Sequence, residues 1–426
     1  MRHVRLLPWS IGSVAFGGAS LVVPLYVVTL GGGAFELGVL ASVAALAGVP
    51  GALVVGRLVD RRGTKRSDVV VTLVATAVVL AALAGVRNLV LVVVANGVVW
   101  LAFAAAMPVM TLLAVRDAPQ RDWAERIGTL NKYQGIGWAA GLGLGLVWGG
   151  VGDRFVSPQL TLQAFLVALG IVAGLGAVST RWLVPGDGTR VGDPNRFRSA
   201  IRRADRFTVR AVTFPITIDR ADFRGLDPRQ FIRRFTPTLA AYFAAAFLFF
   251  TGFATFFAPL PAFLAEAGQS TDGIFALYLL SSLASAATFG VAGRVASARG
   301  PLDLQVGGLL FRGLSFPAVA ATVALLGVTV VGIVVLAAIF AVIGITWAVI
   351  SVTGGTLVTS LTPAAIRGES LGTYAALGAA AGGVGSLLGG TLGAQSYGLA
   401  FTVAGGLIVA GAAIVVTLRP LASSTG

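Results

Sequence analysis

Ionisable groups are scarce in this sequence, and those that could do chemistry sit in or beside apolar runs. The stretch Gly56-Arg57-Leu58-Val59-Asp60-Arg61-Arg62-Gly63-Thr64-Lys65-Arg66 packs two glycines, one carboxylate and five cations between two such runs. Asp60, surrounded by cations, needs a positive partner, either a nearby Arg or the N-terminus of another helix. The glycines permit a tight turn and the close approach of a neighbouring helix. A second cluster, Asn131, Lys132, Tyr133 and Gln134 with Trp138 deeper, lies inside the fifth apolar run. A cation there is costly and often functional, although Lys132 can also snorkel to the interface or pair with Asp122 or Glu125. All of this is ion pairing and hydrogen bonding rather than bond making. The chain has no cysteine, and its one histidine, His3, is at the terminus, so no disulfide, thiolate site or His-based metal site is expected. With no Ser-His pair and no paired carboxylates, catalytic residues, cofactors and metals are all expected to be absent.

The elements that must position these groups are membrane helices. Of 426 residues 56% are hydrophobic and 11% charged, against about 25% charged in a soluble domain. Twelve apolar stretches have the length of a bilayer span: 9–30, 37–58, 68–86, 89–115, 128–150, 160–183, 238–265, 273–296, 304–327, 330–355, 370–395 and 398–417. Lipid offers the backbone no hydrogen bonds, so each should be helical. With both termini in the cytoplasm, nearly all loop Lys and Arg fall inside, and only Arg87 and Arg154 fall outside. The first span is too long for a signal-peptide core and reads as a retained helix. The net charge of +14 is concentrated in and beside 184–236, where thirteen cations, counted from Arg181 to Arg234, face six acids. Such a segment serves topology and anionic headgroups rather than nucleic acid. It contains a loosely alternating stretch, FTVRAVTFPITIDRADF, that suggests a short strand or a surface helix, and it divides six spans (1–183) from six (237–426).

The two halves repeat. Gly56-Arg57, Arg62 and Gly63 recur 237 residues on as Gly293-Arg294, Arg299 and Gly300, and Pro24 recurs as Pro261. Gly128-Thr129, Gly141 and Gly145 recur 244 residues on as Gly372-Thr373, Gly385 and Gly389. Ser297 stands where the second copy would hold the Asp.

Gly56, Leu58, Asp60, Arg61, Gly63, Lys65 and Arg66 match a motif that reads roughly G-x-L-a-D-r-x-G-r-k-r, and Thr64 departs from it. In this the chain resembles the major facilitator superfamily of transporters. The resemblance implies an all-α membrane fold of two six-helix bundles and alternating access to a central site. It also implies that spans 1, 4, 7 and 10 line the cavity, helped by 2, 5, 8 and 11. Asp60 is then expected to face the start of span 11 around Gly368–Gly372, with Arg116 as a second partner. Gly56, Asp60, Arg61, Gly63, Lys65, Arg66 and Arg116 would together form a conformational gate on the cytoplasmic side.

The candidate ligand contacts are Asn96 and Trp100, one turn apart on one face, with Asn131, Lys132, Gln134, Trp138, Tyr242, Tyr278, Trp347 and Tyr374. Each aromatic can also serve as packing or as an interfacial anchor. Arg312, in the ninth span, reads as scaffold reaching toward the cytoplasmic surface. No Asp or Glu falls near the middle of a span, which leaves proton coupling unsupported and Glu36, at the outer mouth, as a possible coupling site. A mostly apolar, aromatic-lined cavity suits a neutral or amphipathic small molecule. Export is the first expectation for direction, helped by the Gly-rich fifth span. A membrane receptor that binds ligand without translocating it is the rival reading.

Overall fold

In a computed structural model, residues 6–62, 66–115, 123–152, 154–184, 236–362 and 367–418 are described. They form thirteen helices: α1 Leu7–Thr29, α2 Ala34–Arg62, α3 Arg66–Leu83, α4 Leu89–Val115, α5 Trp123–Gly152, α6 Pro158–Leu183, α7 Pro237–Phe257, α8 Leu260–Glu266, α9 Thr271–Arg299, α10 Pro301–Leu326, α11 Val330–Leu361, α12 Arg367–Gln395 and α13 Tyr397–Thr417. Eleven spans are long and apolar enough to cross a bilayer, counting Pro237–Glu266 as one; α2 contributes the shorter apolar stretch Ala34–Gly48. The all-helical membrane fold expected from the sequence is what the chain adopts.

Ser and Thr set many helix starts by accepting a backbone N–H in the first turn: Ser157 from Leu160, Thr236 from Leu239, Ser270 from Gly273, Thr329 from Gly332 and Ser396 from Leu399. Two elements differ from the sequence reading. The seventh span breaks between α7 and α8, because Pro259 has no N–H to continue the ladder and Pro261 restarts a helix at its first turn. The second span runs on to Arg62, so Gly56, Asp60 and Arg61 belong to a helix and not to a loop. Cations at a helix C-terminus complement the exposed carbonyl dipoles, which favours this extension.

The helices pack as two sets of six with the same internal arrangement. In the first, α1 packs on α5 and α6, α2 on α4, and α3 on α4 and α6. In the second, α7 packs on α12 and α13, α9 on α11, and α10 on α11 and α13. The glycine repeat has a matching spatial counterpart. Gly141 of α5 lies against the carbonyl of Val14 in α1, and Gly385 of α12 lies against the carbonyl of Thr251 in α7. Each partner is displaced by the offset found in the sequence. Two seams join the sets, α2 with α12 and α5 with α9. The side of the molecule holding Leu6 and Leu418 is called the terminal face below, and the opposite side the far face.

Candidate functional site

Between the two sets lies a cavity of about 300 Å³. Its first wall comes from α1, α2 and α4, with Ser20, Leu40, Asn96, Trp100, Phe103 and Met107. The facing wall comes from α7, α9 and α12, with Phe253, Phe257, Tyr278, Gly382 and Ser386. Three polar side chains on these walls, Asn96, Tyr278 and Ser386, hydrogen-bond to no described residue. Asn96 and Ser386 are buried and Tyr278 is half-buried, and polar groups so placed normally find a partner. Three unpaired ones around a single space therefore present donors and acceptors to whatever fills it. Apolar walls with a few convergent polar groups are the usual make-up of a small-molecule site.

A second layer of rings holds the walls in place. Trp138 of α5 packs against Trp100 at 6.0 Å between ring centroids and against Phe103 at 6.1 Å. Behind the other wall, Phe253 packs edge-on to Trp347 at 6.2 Å. Arg312 sits here as well, 2% exposed, with its guanidinium carbon 4.4 Å from the centroid of Phe253. It does not reach the terminal face as the sequence suggested. It lies about 17 Å along α10 from Pro301, at the standard rise per residue, and turns inward.

Of the candidates from sequence, Asn96, Trp100 and Tyr278 line the cavity, and Trp138 and Trp347 stand one layer behind it. The rest are elsewhere. Gln134 is buried and accepts a hydrogen bond from the indole N–H of Trp9 at 3.2 Å, tying α5 to α1. Asn131 is half-buried and off the cavity, and Lys132 is exposed. Tyr242 and Tyr374 stack at 6.1 Å. The Tyr242 hydroxyl also donates to the Gln305 amide oxygen at 3.1 Å and accepts from its amide nitrogen at 2.8 Å, a separate polar cluster. Arg66 caps α6, donating to the carbonyls of Arg181 at 3.0 Å and Val184 at 3.1 Å. Glu36 accepts from the Gly33 N–H at 2.8 Å as a helix cap. Gly63, Lys65, Arg116 and most of the 184–236 segment lie outside the described residues, as do the side chains of Asp60 and Arg61.

The sequence reading missed Phe103, Phe253, Phe257 and Ser386. Spacing held a signal for three of them: Phe103 follows Asn96 and Trp100 at i+7 and i+3, and Phe253 and Phe257 are one turn apart, so each set shares a helix face.

The comparisons with known proteins agree with this architecture. A family model for the Major Facilitator Superfamily matches residues 9–386. No curated protein matches the sequence. Among solved structures, the nucleoside transporter NupG is similar at 15% identity and a TM-score of 0.66, over 99% of this chain and 98% of that one. A POT family transporter in complex with 5-aminolevulinic acid is similar at 12% identity and 0.69, over 99% and 96%. A bacterial homolog of the human lysosomal transporter Spinster, inward-facing and unoccupied, is similar at 14% identity and 0.65, over 99% and 96%. At these identities the likeness is one of fold.

Proposed function

The chain belongs to the major facilitator superfamily, whose members are transporters rather than enzymes, and on that premise we propose that it moves an amphipathic small molecule by alternating access through the cavity between the two sets of helices. The observation that carries this reading is the group of unpaired polar side chains, Asn96, Tyr278 and Ser386, set among aromatic walls at the interface that rocking would open and close. Asn96, Trp100 and Tyr278 contact the ligand in this proposal, while Trp138 and Trp347 hold the walls. Residues 1–183 and 237–426 are the rocking units, and 184–236 is a basic cytoplasmic linker against anionic headgroups of the plasma membrane. Asp60, with its neighbouring cations, closes the cytoplasmic side. Export is the proposed direction, supported by the apolar cavity and the Gly-rich α5.

Counterflow in proteoliposomes tests the proposal. Vesicles loaded with an amphipathic compound that stabilises the purified protein should accumulate the labelled compound transiently. Trp100→Ala should lower that accumulation about 10-fold, from loss of a large aromatic contact. Asp60→Asn should lower it at near-normal expression. Binding without counterflow would replace the transporter reading with that of a receptor.

A further inference from the structure

Arg312 is the only Asp, Glu, Lys or Arg classed as buried among the described residues. Its Nη1 donates to the Ile343 carbonyl at 2.8 Å and to the Thr346 hydroxyl at 3.3 Å, while its Nε–H has no acceptor. Four rings surround the guanidinium: Phe253 at 4.4 Å, Phe316 at 5.4 Å, and Phe257 and Trp347 at 5.6 Å. These rings accommodate a cation but do not neutralise it. Among the described residues no carboxylate does so either. Helices α7, α11 and α13 contain no acidic residue, and Asp303 and Asp272 sit in the first turns of α10 and α9. A buried charge without a counter-ion is expensive, and here the structure holds the charge where a visiting anion would approach it.

Phe253 and Phe257 face Arg312 and also line the cavity. The positive charge therefore stands one ring behind the cavity wall, in surroundings where little water screens its field. On the same wall Tyr278 packs against Phe257 at 6.5 Å, and its hydroxyl donates to no described residue. A free O–H donor and an unpaired cation thus converge on one side of the cavity, while on the other side Trp100 and Phe103 offer a broad apolar face beside the uncharged Asn96. Lys132, exposed on α5, is not placed to share this role.

We propose that the ligand is an amphipathic monoanion, a carboxylate in the first instance. Its apolar body lies against Trp100 and Phe103, and its acidic group lies against the Phe253–Phe257 wall. Tyr278 donates to that group, and Arg312 supplies the counter-charge. This inference rests on the reading of the cavity as the ligand site.

Three probes of one shape separate the possibilities: 1-naphthoate, 1-naphthylmethanol and 1-naphthylmethylammonium, titrated against the full-length protein in nanodiscs by thermal stabilisation. The carboxylate should bind about 10-fold more tightly than the alcohol, with the ammonium weakest, as complementary charge requires. Arg312→Gln should abolish the carboxylate's advantage and leave the alcohol unchanged, and Arg312→Lys should keep part of it. Tyr278→Phe, which removes only the hydroxyl, should reduce the advantage even if Arg312→Gln fails to fold. An alcohol or ammonium that binds as tightly as the acid overturns the anion and leaves the cavity reading standing. No binding by any of the three removes the amphipathic-ligand reading, and this inference with it.

Discussion

The two seams that join the bundles fill one matched position, Gly38 of α2 and Phe275 of α9, in opposite ways. Where α2 crosses α12, Gly38 meets Gly390, and a Cβ on Gly38 would lie 2.6 Å from the Gly390 Cα and 2.6 Å from the Ser386 carbonyl oxygen. Where α5 crosses α9, the residue 237 positions after Gly38 is Phe275, and its ring lies against Gly145. Both crossings lie toward the far face. The repeat kept the geometry of the crossing and changed its material, backbone on backbone in one seam and ring on backbone in the other. A backbone cannot move aside without moving its helix. A ring can turn, although Phe275, 1% exposed and edge-on to Phe165 at 5.8 Å, has little space to do so. The first seam should therefore be the less forgiving of the two.

Locking the seams should have the largest effect, and the absence of native cysteines makes the experiment direct. A Cβ on Gly382 would lie 3.6 Å from that of Ala45 across α2 and α12, and one on Gly150 would lie 3.7 Å from that of Asp272 across α5 and α9. Both separations suit a disulfide. Oxidising Ala45→Cys/Gly382→Cys or Gly150→Cys/Asp272→Cys should stop counterflow, and a reductant should restore it. Ala47→Cys/Gly97→Cys, at 3.8 Å within the first bundle and off the cavity, should crosslink with little loss. Equal inhibition by all three would remove the rocking of one bundle against the other.

Next in size is Gly38→Leu. Overpacking of this kind costs about 1–3 kcal/mol, which shifts the balance between closed and open far faces by about 5- to 150-fold. Labelling of a cysteine introduced at Ser386, in the cavity wall, should become faster from the far face, and unchanged labelling would show that the seam has more slack than its glycines suggest.

The smallest effect, and the one that sharpens the contrast most, is Gly145→Ala. It should lower the melting temperature by a few degrees, as about 1 kcal/mol of overpacking would. Phe275→Leu in the same chain should recover most of the loss, because the clash is with a side chain. No Gly390 replacement should similarly rescue Gly38→Ala, where the clash is with backbone. If both seams behave alike, the distinction between ring and backbone fails.

Much of the fold was legible in residue types. Spans of apolar residues with nearly all charges in the loops can satisfy their backbones in lipid only as helices, and matched glycine offsets marked the two bundles. The break in the seventh span had its signal in Pro259 and Pro261. Of the site, Asn96, Trp100 and Tyr278 were legible as polar or aromatic groups in cavity-lining spans. The placement of Lys132 and Gln134 was not. They are two residues apart on α5, a helix apolar on most sides, where hydrophobic periodicity does not say which face meets protein and which meets lipid. Arg312 had a sequence signal that went unused: from 304 to 361 it is the only charged residue.

The sequence by itself determined that the chain crosses the membrane repeatedly, how its spans are ordered and that its halves are related. These follow from local composition, since the bilayer tests each span for apolar length and each loop for charge. Only the tertiary structure decided which polar side chains remain unpaired around one cavity, which glycines meet a backbone or a ring, and that the buried arginine stands behind the cavity wall. Those depend on how helices distant in sequence rotate and cross, and the contacts that fix rotation are made between spans rather than within them.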